Sequence, residues 1–303
     1  MPDQVLKEEP VQFGDGGRLF GILTMPGTSH RKAQGLPVFV FLNAGLLHRV
    51  GPRRLYVRLA RELSQMGFIS LRVDLAGTGD SPRRPGLTYS QSVAADFKEI
   101  LGGLESRLGS TPLVLAGLCS GAHDAVRLAP EEPRVVGMVL LDPICFQDDG
   151  FLARAVILKY ADPARYIAWL KRRFETLTAP RGGRKKDNQL GRAPGPGDIV
   201  GGEELPATWG VPTREQLRAA FEAIRGREGR VLSVFSQMAL EYYNEQGQLG
   251  RVVGMDGYQQ SCTELFWPEA DHTYTLELHR RRLIDAIKAW AGGFIRSRTG
   301  ANN

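Results

Sequence analysis

The residues best suited to chemistry sit in one short stretch, Ala116-Gly117-Leu118-Cys119-Ser120-Gly121-Ala122. It follows the apolar run Leu113-Val114-Leu115-Ala116 and opens the amphipathic segment Ser120 to Leu128, a pattern that predicts a buried strand turning sharply into a helix. A turn that presents a nucleophile in this way needs small residues two positions before and two after it, because neighbouring backbone passes close there. Gly117 and Gly121 bracket Cys119 accordingly. Centring the turn on Ser120 would put Leu118 at a position that wants a small residue, so the candidate nucleophile is the thiol of Cys119. A thiol nucleophile calls for a base. His272, in Asp271-His272-Thr273, follows the strand-like stretch Thr263 to Phe266 and so belongs at the carboxyl edge of the sheet, beside the turn.

An acid to orient that histidine is less sharply marked. Beyond the strand-like Val231 to Ser236 the chain reads Gln237-Met238-Ala239-Leu240-Glu241, which makes Glu241 the preferred candidate, and Asp142 at the end of the preceding strand the alternative. A cysteine and histidine can also ionise as a pair without an acid. The backbone N–H groups of Leu46 and Ser120, with the helix N-terminus behind Cys119, are the expected oxyanion hole. His48 is expected to line the mouth of the site, His123 to be structural, and His30 and His279 to lie on the surface. Asp74 and Asp80 are expected to hold loop turns, and Cys145 and Cys262, with apolar neighbours, to be inert buried thiols.

The elements that must position these groups follow from periodicity. Val11 to Met25 reads as an opening antiparallel hairpin around Gly14-Asp15-Gly16-Gly17. Continuous apolar runs at Val38 to Leu42, Phe68 to Val73, Leu113 to Ala116 and Val135 to Leu141 read as strands covered on both faces. They alternate with helical patterns at Pro52 to Met66, Val93 to Leu104 and Ser120 to Leu128. That alternation demands a mostly parallel sheet with helices on both sides. Two further strands, Val231 to Phe235 and Thr263 to Phe266, and a closing helix carrying Leu283, Ile287 and Trp290 complete it.

Residues 146–228 are too many for one crossover and read as a helical cap inserted after the fourth parallel core strand, dividing a core of residues 1–145 and 229–303. Within it Tyr160, Tyr166, Trp169 and Phe174 are expected to line an apolar pocket above Cys119, with Tyr160 and Trp169 touching substrate. Arg181, Arg184, Lys185, Lys186 and Arg192 lie in a Gly/Pro-rich stretch with no interleaved aromatics, which reads as a solvated loop and argues against nucleic acid as a partner.

Four motifs in order carry a resemblance to the α/β-hydrolase superfamily: Leu42-Asn43-Ala44-Gly45-Leu46, Asp74-Leu75-Ala76-Gly77-Thr78-Gly79-Asp80-Ser81, the turn at Cys119, and Asp271-His272-Thr273. Most of the chain takes part, and it is similar to capped bacterial members of the serine aminopeptidase-like and exosortase-associated kind. It departs from them in having cysteine where most members have serine, as dienelactone hydrolases and polyhydroxyalkanoate synthases also do. Haloalkane dehalogenases, a similar fold, draw their acid from the strand end that Asp142 occupies here. The resemblance implies an α/β-hydrolase fold and acyl transfer through a Cys-His-acid triad and a thioester acyl-enzyme, most simply hydrolysis of esters, thioesters or lactones. The alternatives are an acyltransferase, condensing enzyme or thioesterase drawing on an acyl carrier protein or a coenzyme A thioester, and a non-catalytic binding protein.

Composition agrees with a globular enzyme. The 303 residues are 42% hydrophobic and 24% charged, which excludes disordered and collagen-like chains. Three cysteines are too few for a disulfide framework or a zinc knuckle, and neither a metal nor a cofactor is expected, because no phosphate-binding or dinucleotide fingerprint is present. The absence of a long apolar run and of a signal-like start predicts a cytoplasmic protein without a membrane span.

Overall fold

Strands with both faces buried form the centre of the structure, a computed structural model that describes residues 6–27, 35–161, 199–200, 203–204 and 210–300. The core strands are β1 (Lys7–Phe13), β2 (Leu19–Met25), β3 (Val38–Leu42), β4 (Ser70–Val73), β5 (Leu113–Leu118), β6 (Val135–Leu141), β7 (Arg230–Ser236) and β8 (Cys262–Trp267). They form one sheet in the order β1-β2-β4-β3-β5-β6-β7-β8. β2 pairs antiparallel with both β1 and β4, and every pairing from β4 through β3 to β8 is parallel. Every residue of β3 and of β5 is buried, as continuous apolar runs in a doubly covered sheet require.

Helices cover the two faces. On one side lie α1 (Leu55–Gln65) and the long closing helix α8 (Glu277–Gly300), whose Leu59, Leu63, Leu283, Ile287 and Trp290 pack against Phe39, Phe41 and Val114. On the other lie α2 (Tyr89–Leu108), α3 (Ser120–Leu128) and α5 (Arg214–Gly226), meeting Val40, Leu115 and Met138. Full burial of each such side chain contributes about 1.5–3 kcal/mol, so these two layers dominate the stability of the core. Thr88 and Thr213 start α2 and α5 with reciprocal bonds to Gln91 and Gln216, the arrangement that satisfies the first free N–H groups of a helix.

Two chain segments differ from expectation in ways that have physical causes. The helix after β3 starts at Leu55 and not at Pro52, because Arg53 and Arg54 take left-handed backbone angles and leave only a single 3-10 turn before it. The helix at Arg214–Gly226, expected within the insertion, belongs to the core unit: Leu217, Phe221 and Ile224 are fully buried in its hydrophobic layer. The second compact unit is Gln147–Trp209, whose described parts are α4 (Phe151–Ala161) and a two-residue ladder of Ile199–Val200 with Glu203–Glu204. Tyr160 falls in the last turn of α4, while Tyr166, Trp169, Phe174 and the basic residues Arg181, Arg184, Lys185, Lys186 and Arg192 lie outside the described residues. No helix among the described residues is long and apolar enough to cross a membrane.

The last strand is anchored by a buried carboxylate. Between β7 and β8 run two short helices, α6 (Gln248–Val253) and α7 (Tyr258–Ser261). Glu264 Oε1 accepts from Tyr243 Oη at 2.6 Å and from the N–H groups of Gly247 and Leu249 at 2.9 and 3.1 Å, while Oε2 accepts from Tyr258 Oη at 3.3 Å. One side chain thus ties the strand leading to His272 to the start of α6. Removing it strands several buried donors, each costing about 1–3 kcal/mol. Glu264→Ala is therefore expected to lower the urea midpoint by far more than Glu264→Gln, which keeps an acceptor oxygen, with the two compared by equilibrium unfolding.

Candidate active site

Close packing of small residues builds the turn at Cys119. A Cβ on Gly117 would lie 2.2 Å from the carbonyl carbon of Gly121, and one on Gly121 would lie 2.6 Å from the Asn43 carbonyl oxygen. Only glycine permits that approach, and it lets α3 begin directly behind β5. Cys119 itself sits at φ 55 and ψ −116, a strained backbone conformation for a residue with a side chain. Its surroundings hold it there. The Cys119 N–H donates to Leu141 O at 2.9 Å, its carbonyl accepts from Ala122 and His123, and the Leu118 N–H donates to the buried hydroxyl of Tyr56 at 3.0 Å. Tyr56 in turn packs where a side chain on Gly51 would collide with its ring.

His272 arrives from the loop after β8, shaped by Asp271. The Asp271 carboxylate accepts from the N–H groups of Thr273 and Thr275 at 3.1 and 2.8 Å and from both threonine hydroxyls. His272 Nδ1 lies 2.7 Å from Asp142 Oδ2. Burial pulls the imidazole pKa down, but the bond to Asp142 and the influence of neighbouring Cys119 outweigh it and raise it to about 9.

The carboxylate brought to the histidine is Asp142, not the preferred Glu241. Asp142 is 3% exposed, and its left-handed backbone, at φ 46, turns the side chain beneath the end of β7. There its Oδ1 accepts the Ser236 N–H at 2.5 Å and its Oδ2 the Ser236 hydroxyl at 2.6 Å. Glu241 closes a 3-10 turn, Gln237–Glu241, in which Ala239 faces inward and Glu241 is exposed. The role of Ser236 was not apparent in the sequence. The cue available was that β7 ends in a hydroxyl residue while the strand beside it ends in an aspartate.

The segment carrying Leu46 is fastened on two sides. Gly45 N–H donates to Ser120 Oγ at 2.8 Å. Asn43 Nδ2 donates to Leu47 O at 3.0 Å, and the buried Asp74 accepts the Arg49 N–H at 2.5 Å and pairs with the Arg49 guanidinium, which also reaches Asp80 at 2.7 Å. Asp74 and Asp80 thus hold this loop. His48 is exposed within it. His123, one turn into α3, accepts the Ile144 N–H on Nε2 at 3.2 Å and stays neutral, with burial and Arg127 lowering its pKa to about 4. Cys145 and Cys262 are both buried, and burial pushes the Cys262 thiol up to about 11. Among the described residues no group of His, Cys, Asp and Glu is arranged to hold a metal ion.

The raised His272 pKa has a measurable consequence. Because the folded value exceeds the ordinary 6.5, protonated His272 stabilises the fold fully below about pH 6.5, and that contribution is lost as pH rises through about 9. NMR titration of the His272 ring should give a midpoint near 9 in the wild type and a value shifted to or below the ordinary 6.5 in Asp142→Asn. Equal midpoints would show that Asp142 does not charge-couple to the ring.

Comparison with known proteins agrees with this fold. The family model described as "Alpha/beta hydrolase family" matches residues 39–289. No curated protein matches the sequence. Among solved structures, Est1E from Butyrivibrio proteoclasticus superposes with a TM-score of 0.54 at 15% identity, covering 95% of this chain and 99% of that one. An esterase from Pyrococcus furiosus superposes with a TM-score of 0.54 at 13% identity, covering 97% and 91%. At such identities the likeness concerns the fold. The family match spans most of the chain, and with the eight-stranded sheet and the turn at Cys119 it establishes that this protein belongs to the α/β hydrolase family.

Proposed function

We propose that this protein hydrolyses carboxylic esters, thioesters or lactones through a thioester on Cys119. The observation that carries the reading is a single imidazole, His272, hydrogen-bonded to Asp142 and neighbouring Cys119, which stands at a strained strand-to-helix turn. In the first step the sulfur attacks the carbonyl carbon of the substrate with the proton of the Cys119–His272 pair on the imidazole, where the raised pKa of His272 holds it. The resulting oxyanion is met by the N–H groups of Leu46 and Ser120, the latter at the first position of α3, where N–H groups have no partner within the helix. Collapse breaks the bond to the leaving group, which takes the proton from His272 and departs as an alcohol or thiol. Water then gives a proton to His272 and attacks the thioester carbonyl, and the acid leaves as the carbon–sulfur bond breaks, which restores the sulfur beside the protonated ring. Asp142 holds the ring in register throughout.

A thioester also reacts readily with amines and alcohols, so the same site supports transfer when an acceptor replaces water. The fold neighbour from Pyrococcus furiosus, described as an esterase, supports hydrolysis as the first assay. Incubation with an activated ester or iodoacetamide should give one fast adduct on Cys119 by intact mass and peptide mapping, absent from Cys119→Ala. Preferential labelling of Cys145 or Cys262 would overturn the assignment. For turnover of p-nitrophenyl esters, His272→Ala should cost about 10²- to 10⁴-fold, the range of a lost general base. Asp142→Asn should fall steeply with it, while Glu241→Gln stays near wild type, each variant being checked by thermal melt.

A further inference from the structure

Ser120 directly follows the proposed nucleophile and bears a hydroxyl, yet that hydroxyl is committed elsewhere. The residue is 4% exposed and its Oγ accepts the N–H of Gly45, 75 positions earlier in the chain. Tyr89 stands at the start of α2. Tyr89 Oη donates to Asp124 Oδ2 at 2.7 Å. Asp124 is fully buried one turn along α3 and pairs with Arg127, whose guanidinium lies 5.8 Å over the Tyr89 ring.

The Gly45 N–H donates, so Ser120 Oγ acts here as an acceptor and ties the start of α3 to the loop after β3. At the loop end, Gly45 has a left-handed backbone at φ 57, and Leu47 is held by its own N–H to Ala44 O at 3.1 Å and by Asn43 on its carbonyl. The Gly45–Leu46 peptide lies between these pinned groups. We propose that Ser120 is a positioning residue: its hydroxyl, held at the first turn of α3, fixes the Gly45 amide and so aims the Leu46 N–H at the substrate oxygen.

The inference rests on the acyl-transfer reading, and two readouts separate its failure from that of the reading. Ser120→Ala keeps the N–H at position 120 and removes only the pin. It should lower kcat for p-nitrophenyl acetate by about 10²-fold, the scale of one mispositioned oxyanion donor, with KM little changed. Alkylation of Cys119 by iodoacetamide, which builds no oxyanion, should keep its wild-type rate in this variant. Hydrogen exchange, which needs no turnover, should quicken at residues 44–47 while α3 stays protected. Unchanged kcat, parallel losses in alkylation and turnover, or unchanged exchange at residues 44–47 would each overturn the proposal. A wild type whose Cys119 takes no acyl group would overturn the functional reading instead, and exchange would still decide whether the pin exists.

Discussion

Two glycines in contact set the geometry from which the rest of the site follows. With Gly117 against Gly121, and Gly121 against the Asn43 carbonyl, β5 can reverse into α3 within one residue, and that residue is Cys119. The strained backbone costs about 1–3 kcal/mol. Packing of α3 offsets it, since Ala122, Ala125 and Val126 are fully buried against the sheet. The same contact brings the first residue of α3 within hydrogen-bond reach of the loop after β3. Cys119, the N-terminus of α3 and the loop after β3 are therefore located by one close approach, and none is placed independently.

The neighbouring strands extend that geometry sideways. Cys119 and Asp142 each stand one residue beyond the end of a parallel strand, and both have left-handed backbones. Each continues its ladder by a last bond, Cys119 N–H to Leu141 O and Asp142 N–H to Val234 O. A third bond closes the series, with Ser236 at the end of β7 donating its N–H back to the Asp142 side chain. The acid is held as rigidly as backbone. The histidine, arriving on a loop, needs only to be met by groups already fixed.

Much of this was legible in the residues, and the gaps have physical causes. Doubly buried strands announce themselves as unbroken apolar runs, and the turn at Cys119 by glycines at fixed offsets. The acid was not legible because sequence gives separation along the chain while catalysis depends on direction. Glu241 is nearer the expected strand end, but its 3-10 turn carries it outward, whereas a single positive φ carries Asp142 inward. Helix α5 shows a related limit: Leu217, Phe221 and Ile224 mark an apolar face without naming the unit it will face. Ser236, Tyr56 and Tyr89 act through single hydrogen bonds across many residues of sequence, which no local pattern encodes.

Cys119, Asp142 and His272, and every hydrogen bond described as orienting them, lie in the unit formed by residues 1–146 and 210–303. The chain leaves that unit four residues after Asp142 and rejoins it before α5. Residues 147–209 can thus be lengthened, shortened or exchanged in the course of descent without altering any of these contacts.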